Sequence, residues 1–249
     1  MVEGEGSVAA TRGTGSRLTT GVWMVAAVTF FAAILATLKP MDVYGPFKMT
    51  ASTGFIATAV LAGGLHTTYG RLLLAGLICS WWGDLLLLGS GRLYFLSGLV
   101  SFLLGHVFYS GAFYAHGSRI GQALAWLVAL TIPAYIIMSL AWPNVPAMLR
   151  IPVVAYMSII SIMLALALGA WRLPGGSMIA AGAIAFYLSD VCVARGRFIS
   201  QSPINGLIGL PLYFLGQVIL AISVAYATGA AKRFMRGETG DVQQQDTMN

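Results

Sequence analysis

The sequence predicts an all-α integral membrane bundle of about eight transmembrane helices, running up and down with short loops, and three observations lead to it. Hydrophobic residues make up 58% of the 249 residues and charged ones only 9%, whereas soluble chains carry roughly 25% charged residues. The apolar residues gather into eight runs, each about as long as a bilayer crossing. None of the runs alternates with a strand's period, and a segment in lipid must satisfy its own backbone hydrogen bonds, so each forms a helix rather than a barrel strand.

The first run, 20–38, follows a stretch rich in Gly, Ser and Thr and is long enough to span, which reads as a retained helix rather than a cleaved leader. The second, 48–65, opens with Lys48, and the third, 71–89, carries Asp84 near its end. The three residues SGR (90–92) lead to the fourth run, 93–114, with His106 about a dozen residues in. The fifth run is 121–141 and the sixth, 150–170, holds Tyr156. WRLPGG (171–176) joins the sixth to the seventh, 175–194, which carries Asp190, and the eighth, 205–230, carries Gln217. Connections this short make the helices they join antiparallel neighbours. The expected organisation is a tail over 1–18, an eight-helix domain over 19–231 and a polar tail over 232–249, both tails disordered. The 30 glycines suit close helix packing.

The 14 Lys and Arg residues are scattered singly, so the net charge of +6 reads as helix-end anchoring at lipid headgroups, and nucleic acid is not an expected partner. Eight of them fall on the side of the termini and six on the other, which favours termini inside by a small margin. The expected location is a bacterial inner (cell) membrane. Cys79 and Cys192 both lie in apolar runs, as small hydrophobes do.

An ionisable side chain inside a spanning helix costs roughly 2.5–3.5 kcal/mol, so each one is a functional candidate. Asp84 and Asp190 each lie about five residues from the end of their runs, on the same side of the membrane. At the helical rise this puts both carboxyls at matched depth, roughly 7 Å below that surface. Lys48 opens the second helix on that side, Tyr156 lies one and a half turns into the sixth, and His106 is deeper, level with Gln217. Together they predict a polar pocket opening away from the termini. Taken singly, either Asp could cap a helix or pair with Arg195 or Arg197, His106 could be an interhelical hydrogen-bonding residue, and Tyr94, Tyr109 and Tyr213 could be packing or interface aromatics. No nucleophile elbow, zinc motif or phosphate-binding loop occurs, and neither metal nor cofactor is expected. Acid and base chemistry by carboxylates is what remains.

The motifs WGDLLLL (82–88), FLSGLVSFLLGHVFY (95–109), FYLSDVCVARGRF (186–198) and YFLGQ (213–217), in this order, resemble those of the YhhN-like membrane proteins, the lysoplasmalogenase family. The resemblance runs from about Lys48 to the eighth helix. It matches Gly83-Asp84 to the family's Gly-Asp pair, Gly98, Phe102, His106 and Tyr109 to its fourth-helix positions, and Ser189-Asp190 to its Ser-Asp. Arg197-Phe198 resembles the basic-Phe pair that follows, and Tyr156 and Gln217 match later polar positions. The family's Lys-Pro at the start of the second helix is matched either by Lys48, followed here by Met49, or by Lys39-Pro40.

The resemblance implies a hydrolase that cleaves the vinyl ether bond of lysoplasmalogens (lysoplasmenyl-ethanolamine or -choline) to a fatty aldehyde and a glycerophospho-base. Such ethers hydrolyse by protonation of the distal alkene carbon and capture of the oxocarbenium ion by water. An acid and an anion suffice, and two carboxyls can divide those roles. The expected catalytic residues are Asp84, Asp190 and His106, the last acting on the attacking water. The expected substrate-binding residues are Lys48, Tyr109, Tyr156, Ser189, Arg197, Tyr213 and Gln217, with Lys48 or Arg195 and Arg197 on the headgroup phosphate. The alternative is a small transporter or proton-coupled carrier in which Asp84, His106 and Asp190 form a relay; a lipid-binding scaffold with an inactive site is a third reading.

Overall fold

A computed structural model describes residues 5–38 and 41–227. They form eight helices: α1 (Glu5–Leu38), α2 (Met41–Leu61), α3 (Thr68–Leu86), α4 (Arg92–Ala115), α5 (Ile120–Ala141), α6 (Arg150–Gly169), α7 (Gly176–Phe198) and α8 (Pro203–Ala227). Helix α1 extends back to Glu5 through residues expected to belong to a tail, since elongating an existing helix costs far less than nucleating one. The expected tail over 232–249 lies outside the described residues, as does Lys39.

Six of the eight helices among the described residues are long and apolar enough to cross a bilayer. The other two, α2 and α3, carry Lys48, Ser52, Thr58, Ser80 and Asp84, all buried inside the bundle. Their lower hydropathy comes from polar groups that face protein rather than lipid. The outer surface is apolar, with Trp82, Tyr94, Tyr114, Trp142 and Trp171 exposed near helix ends, where amphipathic rings meet the membrane interface. The chain is a multi-pass membrane protein.

Local chemistry sets the helix ends. Thr67 caps α3 by accepting a hydrogen bond from Gly70 N at 3.1 Å. Gly175 turns the chain into α7 at φ +71°, and a Cβ there would meet the backbone N of Ala227 at 2.9 Å. Within the bundle the main pairings are α7 with α8, α3 with α4, α1 with α2 and α5 with α6. A Cβ on Gly83 would strike the Phe102 ring at 2.6 Å, so α4 can approach α3 closely only because the residue before Asp84 lacks a side chain.

One pairing departs from a simple up-and-down order. Helix α4 packs on α3 and α6, and its successor α5 lies outside, against α6. Helix α4 carries His106 and Tyr109, which need polar cover. The best membrane-spanning stretch of α5 is only 6% buried and tolerates lipid on most of its surface.

Candidate active site

The ends of α3 and α7 and the beginnings of α2, α4, α6 and α8 meet on the side away from the described start of α1. Between them lies a cavity of about 210 Å³ lined by Lys48, Asp84, Tyr156, Ser189, Asp190, Arg197 and Tyr213, with Tyr44, Phe95, Phe102 and Met157 among its other walls. Asp84 and Asp190 therefore open onto one chamber, although not at the equal distance from their helix ends that the sequence predicts: Asp84 is two residues from the end of α3 and Asp190, because α7 runs on to Phe198, is eight from its end.

Each carboxylate has its own partners. Lys48 Nζ lies 3.1 Å from Asp84 Oδ1 and donates to the Asp84 carbonyl at 3.1 Å. Ser52 Oγ and Tyr213 Oη each donate to Asp84 Oδ2 at 2.6 Å. Three donor groups around one carboxylate suit an anion. The residues sit on α2, α3 and α8, so the cluster also ties three helices together.

Asp190 is the more accessible of the two, with 16% of its side chain exposed. Tyr156 Oη donates to its Oδ2 at 2.8 Å, and His106 Nε2 lies 3.0 Å from Tyr156 Oη and 3.3 Å from Asp190 Oδ2. Since the tyrosine proton goes to the carboxylate, Nε2 must carry the imidazole proton to donate to this pair. His106 Nδ1 is then an acceptor, buried without a hydrogen-bond partner. Asp190 Oδ1 has no protein partner among the described residues.

Beneath the cavity the polar groups continue as a second layer. Tyr213 Oη accepts from Gln217 Nε2 at 3.3 Å, Gln217 Oε1 accepts from Tyr109 Oη at 2.7 Å, and Ser80 Oγ lies 3.3 Å from Tyr109 Oη. Aromatic rings fill the space between the two carboxylate clusters. Phe186 lies 4.7 Å from the His106 ring and 5.2 Å from that of Tyr213, and Phe102 lies 5.8 Å from Tyr213. Below this layer Leu73, Leu77, Phe113, Ile179 and Leu220 are fully buried and pack the termini-side half of the core.

The structure thus brings seven of the ten expected residues onto one cavity wall. His106, Tyr109 and Gln217 stand behind it, fully buried, and reach the cavity only through Asp190, Tyr156 and Tyr213. Ser189 lines the cavity and its hydroxyl has no protein partner among the described residues. Arg197 lies over the Phe95 ring at 4.6 Å. Arg195 instead donates to Asn205 Oδ1 at 2.6 Å and does not line the cavity, and neither arginine pairs with Asp84 or Asp190. Ser52 and Tyr44 were not expected. An extended run of polar residues at one helical face, Lys48 then Ser52 one turn on, is the signal that could have found Ser52.

A family model described as the YhhN family matches residues 44–224, a span that begins just before Lys48 and includes every residue of this site. The chain belongs to the YhhN family. Two relatives extend the comparison. Lysoplasmalogenase TMEM86A of Bos taurus is 25% identical over 214 residues, 81% of this chain and 82% of the relative. Lysoplasmalogenase TMEM86B of Sus scrofa is 33% identical over 168 residues, 67% of this chain and 68% of the relative. No solved structure matches. In this YhhN protein, α1 and the first three residues of α2 precede the family match, and the described site is built entirely within it.

Proposed function

We propose that this YhhN protein is a lysoplasmalogenase-like hydrolase of a bacterial inner membrane, cleaving the vinyl ether of a lysoplasmenyl lipid. The observation that carries the reading is that Asp84 and Asp190 line one cavity with different partners and different exposure. Asp84 is held by a lysine and two hydroxyls. Asp190 is partly exposed and keeps one oxygen free of protein partners.

In this reading Asp190 is the acid. Its proton goes to the alkene carbon distal to the ether oxygen, and the positive charge that develops on the other carbon and the oxygen is met by anionic Asp84. Water then adds to that carbon and gives its proton to Asp190, now a carboxylate, which restores the acid. The hemiacetal collapses with transfer of its hydroxyl proton to the leaving glycerol oxygen, yielding aldehyde and glycerophospho-base. Tyr156 and His106 orient Asp190, and the Ser189 hydroxyl is free to bond the water or the glycerol. Lys48 is committed to Asp84, so the phosphate falls to Arg197 at the cavity mouth.

A carrier would need a path from this chamber to the other side, and on that side Leu73, Leu77, Phe113, Ile179 and Leu220 are fully buried in the core. The hydrolase is tested by aldehyde release from lysoplasmenyl-ethanolamine by the purified protein in ¹⁸O-water. Aldehyde should appear together with unlabelled glycerophosphoethanolamine. Label in the glycerophospho product would mean cleavage on the glycerol side, and no aldehyde would reject the activity.

A further inference from the structure

A cavity of about 210 Å³ is smaller than the roughly 300–1,000 Å³ pockets that enclose drug-sized ligands, and a lysophospholipid is larger still. The hydrocarbon chain of any such substrate must therefore lie elsewhere. The largest concavity among those described is a groove of about 800 Å³ between α5 and α6, on the outer face of the bundle. Met157 is a wall of both the groove and the cavity, and no other residue is shared between them.

The groove suits hydrocarbon in three respects. Every Ser and Thr hydroxyl lining it is turned back on its own helix: Thr131 donates to the Val128 carbonyl at 2.6 Å, Ser139 to Ile136 at 2.9 Å, Ser158 to Val154 at 2.9 Å and Ser161 to Met157 at 2.8 Å. On α5 the groove extends from Leu127 to Ser139, about 18 Å at the helical rise, whereas one leaflet's hydrocarbon is about 15 Å deep. Met157 is seven residues into α6 and Asp190 eight from the end of α7, so both lie about 10–12 Å from the same surface. A lipid with its phosphate at Arg197 and its reacting bond at Asp190 would thus have Met157 at the depth of that bond.

We propose that the α5–α6 groove holds the alkenyl chain of the lipid substrate, which enters sideways from the bilayer, with Met157 as the movable side chain between groove and cavity. The proposal rests on the hydrolase reading for the identity of the lipid. Met157 suits the role because a thioether on an unbranched stem adapts to a passing chain. In this structure the Tyr187 hydroxyl donates to its sulfur at 4.0 Å. The long aldehyde then leaves into the membrane and the glycerophospho-base leaves past Arg197 into water.

The test fills the groove away from the cavity, with Ala134→Trp and Ser158→Trp, and compares a long-chain with a short-chain, water-soluble lysoplasmenyl-ethanolamine. For the long chain, kcat/KM should fall at least about tenfold, equivalent to losing roughly two buried methylenes, and for the short chain it should stay within about twofold of wild type. Equal losses for both chains, or none for either, would overturn the proposal. In parallel, wild-type protein is photolabelled with a lysophosphatidylethanolamine bearing a diazirine at its chain end. Adducts on α5 and α6 that unlabelled lysoplasmenyl-ethanolamine competes away support the groove; adducts spread around the bundle, or uncompeted, refute it. Should wild type cleave neither substrate, the hydrolase reading fails and the labelling alone decides the groove.

Discussion

Lys48 and Asp84 form a buried ion pair, Nζ to Oδ1 at 3.1 Å, with 5% and 2% of their side chains exposed. Neither charge is tolerable there alone. The pair joins α2 to α3, and Tyr213 brings α8 to the same carboxylate. One contact thus serves both the packing of the bundle and the charge on the cavity wall.

Breaking that pair from one side leaves a buried carboxylate uncompensated, at a cost of about 3–5 kcal/mol. Lys48→Met should therefore lower the melting temperature in detergent markedly. The double variant Lys48→Met with Asp84→Asn should recover much of the loss and remain inactive. A single variant as stable as wild type would mean that Asp84 is not charged.

Tyr156→Phe removes the donor to Asp190 and the acceptor for His106. A hydrogen bond to a charged group contributes about 1.5–3 kcal/mol, so aldehyde release should fall roughly 10- to 150-fold. The fall should appear in kcat with little change in KM. A pure KM effect would make Tyr156 a binding contact instead.

Gln217→Leu tests the layering of the site. Gln217 is fully buried, does not line the cavity, and links Tyr109 to Tyr213. Its loss strands buried hydroxyls at a cost of about 1–3 kcal/mol. Thermal stability should drop while KM is unchanged; a raised KM would place Gln217 in contact with substrate.

Gly83→Ala puts a methyl into the Phe102 ring. Overpacking of this kind costs about 1–3 kcal/mol, and the displaced backbone carries Asp84. Stability and turnover should fall together, and Phe102→Leu in the same chain should restore part of both. Additive losses in the double variant would show that the two residues do not touch.

The helices are legible in the sequence because lipid forces each apolar run to bond internally. Asp84, Asp190 and Lys48 are legible because charges are so scarce in those runs that their depths can be compared. The depth of His106 and Gln217 is legible too, but not that they stand behind the cavity wall, since rotation of a helix about its axis leaves depth unchanged. For the same reason sequence does not separate Arg195 from Arg197. Two residues are about 200° apart on a helix, so one faces Asn205 and the other the cavity. The outward place of α5 is hidden because a loop fixes which helix comes next, not which polar face most needs covering.

The assignment of Asp190 as the proton donor is tested by single-turnover aldehyde release from Asp190→Asn beside wild type, with melting temperatures of both. Asparagine keeps the shape and removes the acid, so release should fall by at least about 100-fold with the melting temperature little changed. Release at near wild-type rate from folded Asp190→Asn protein would contradict the account.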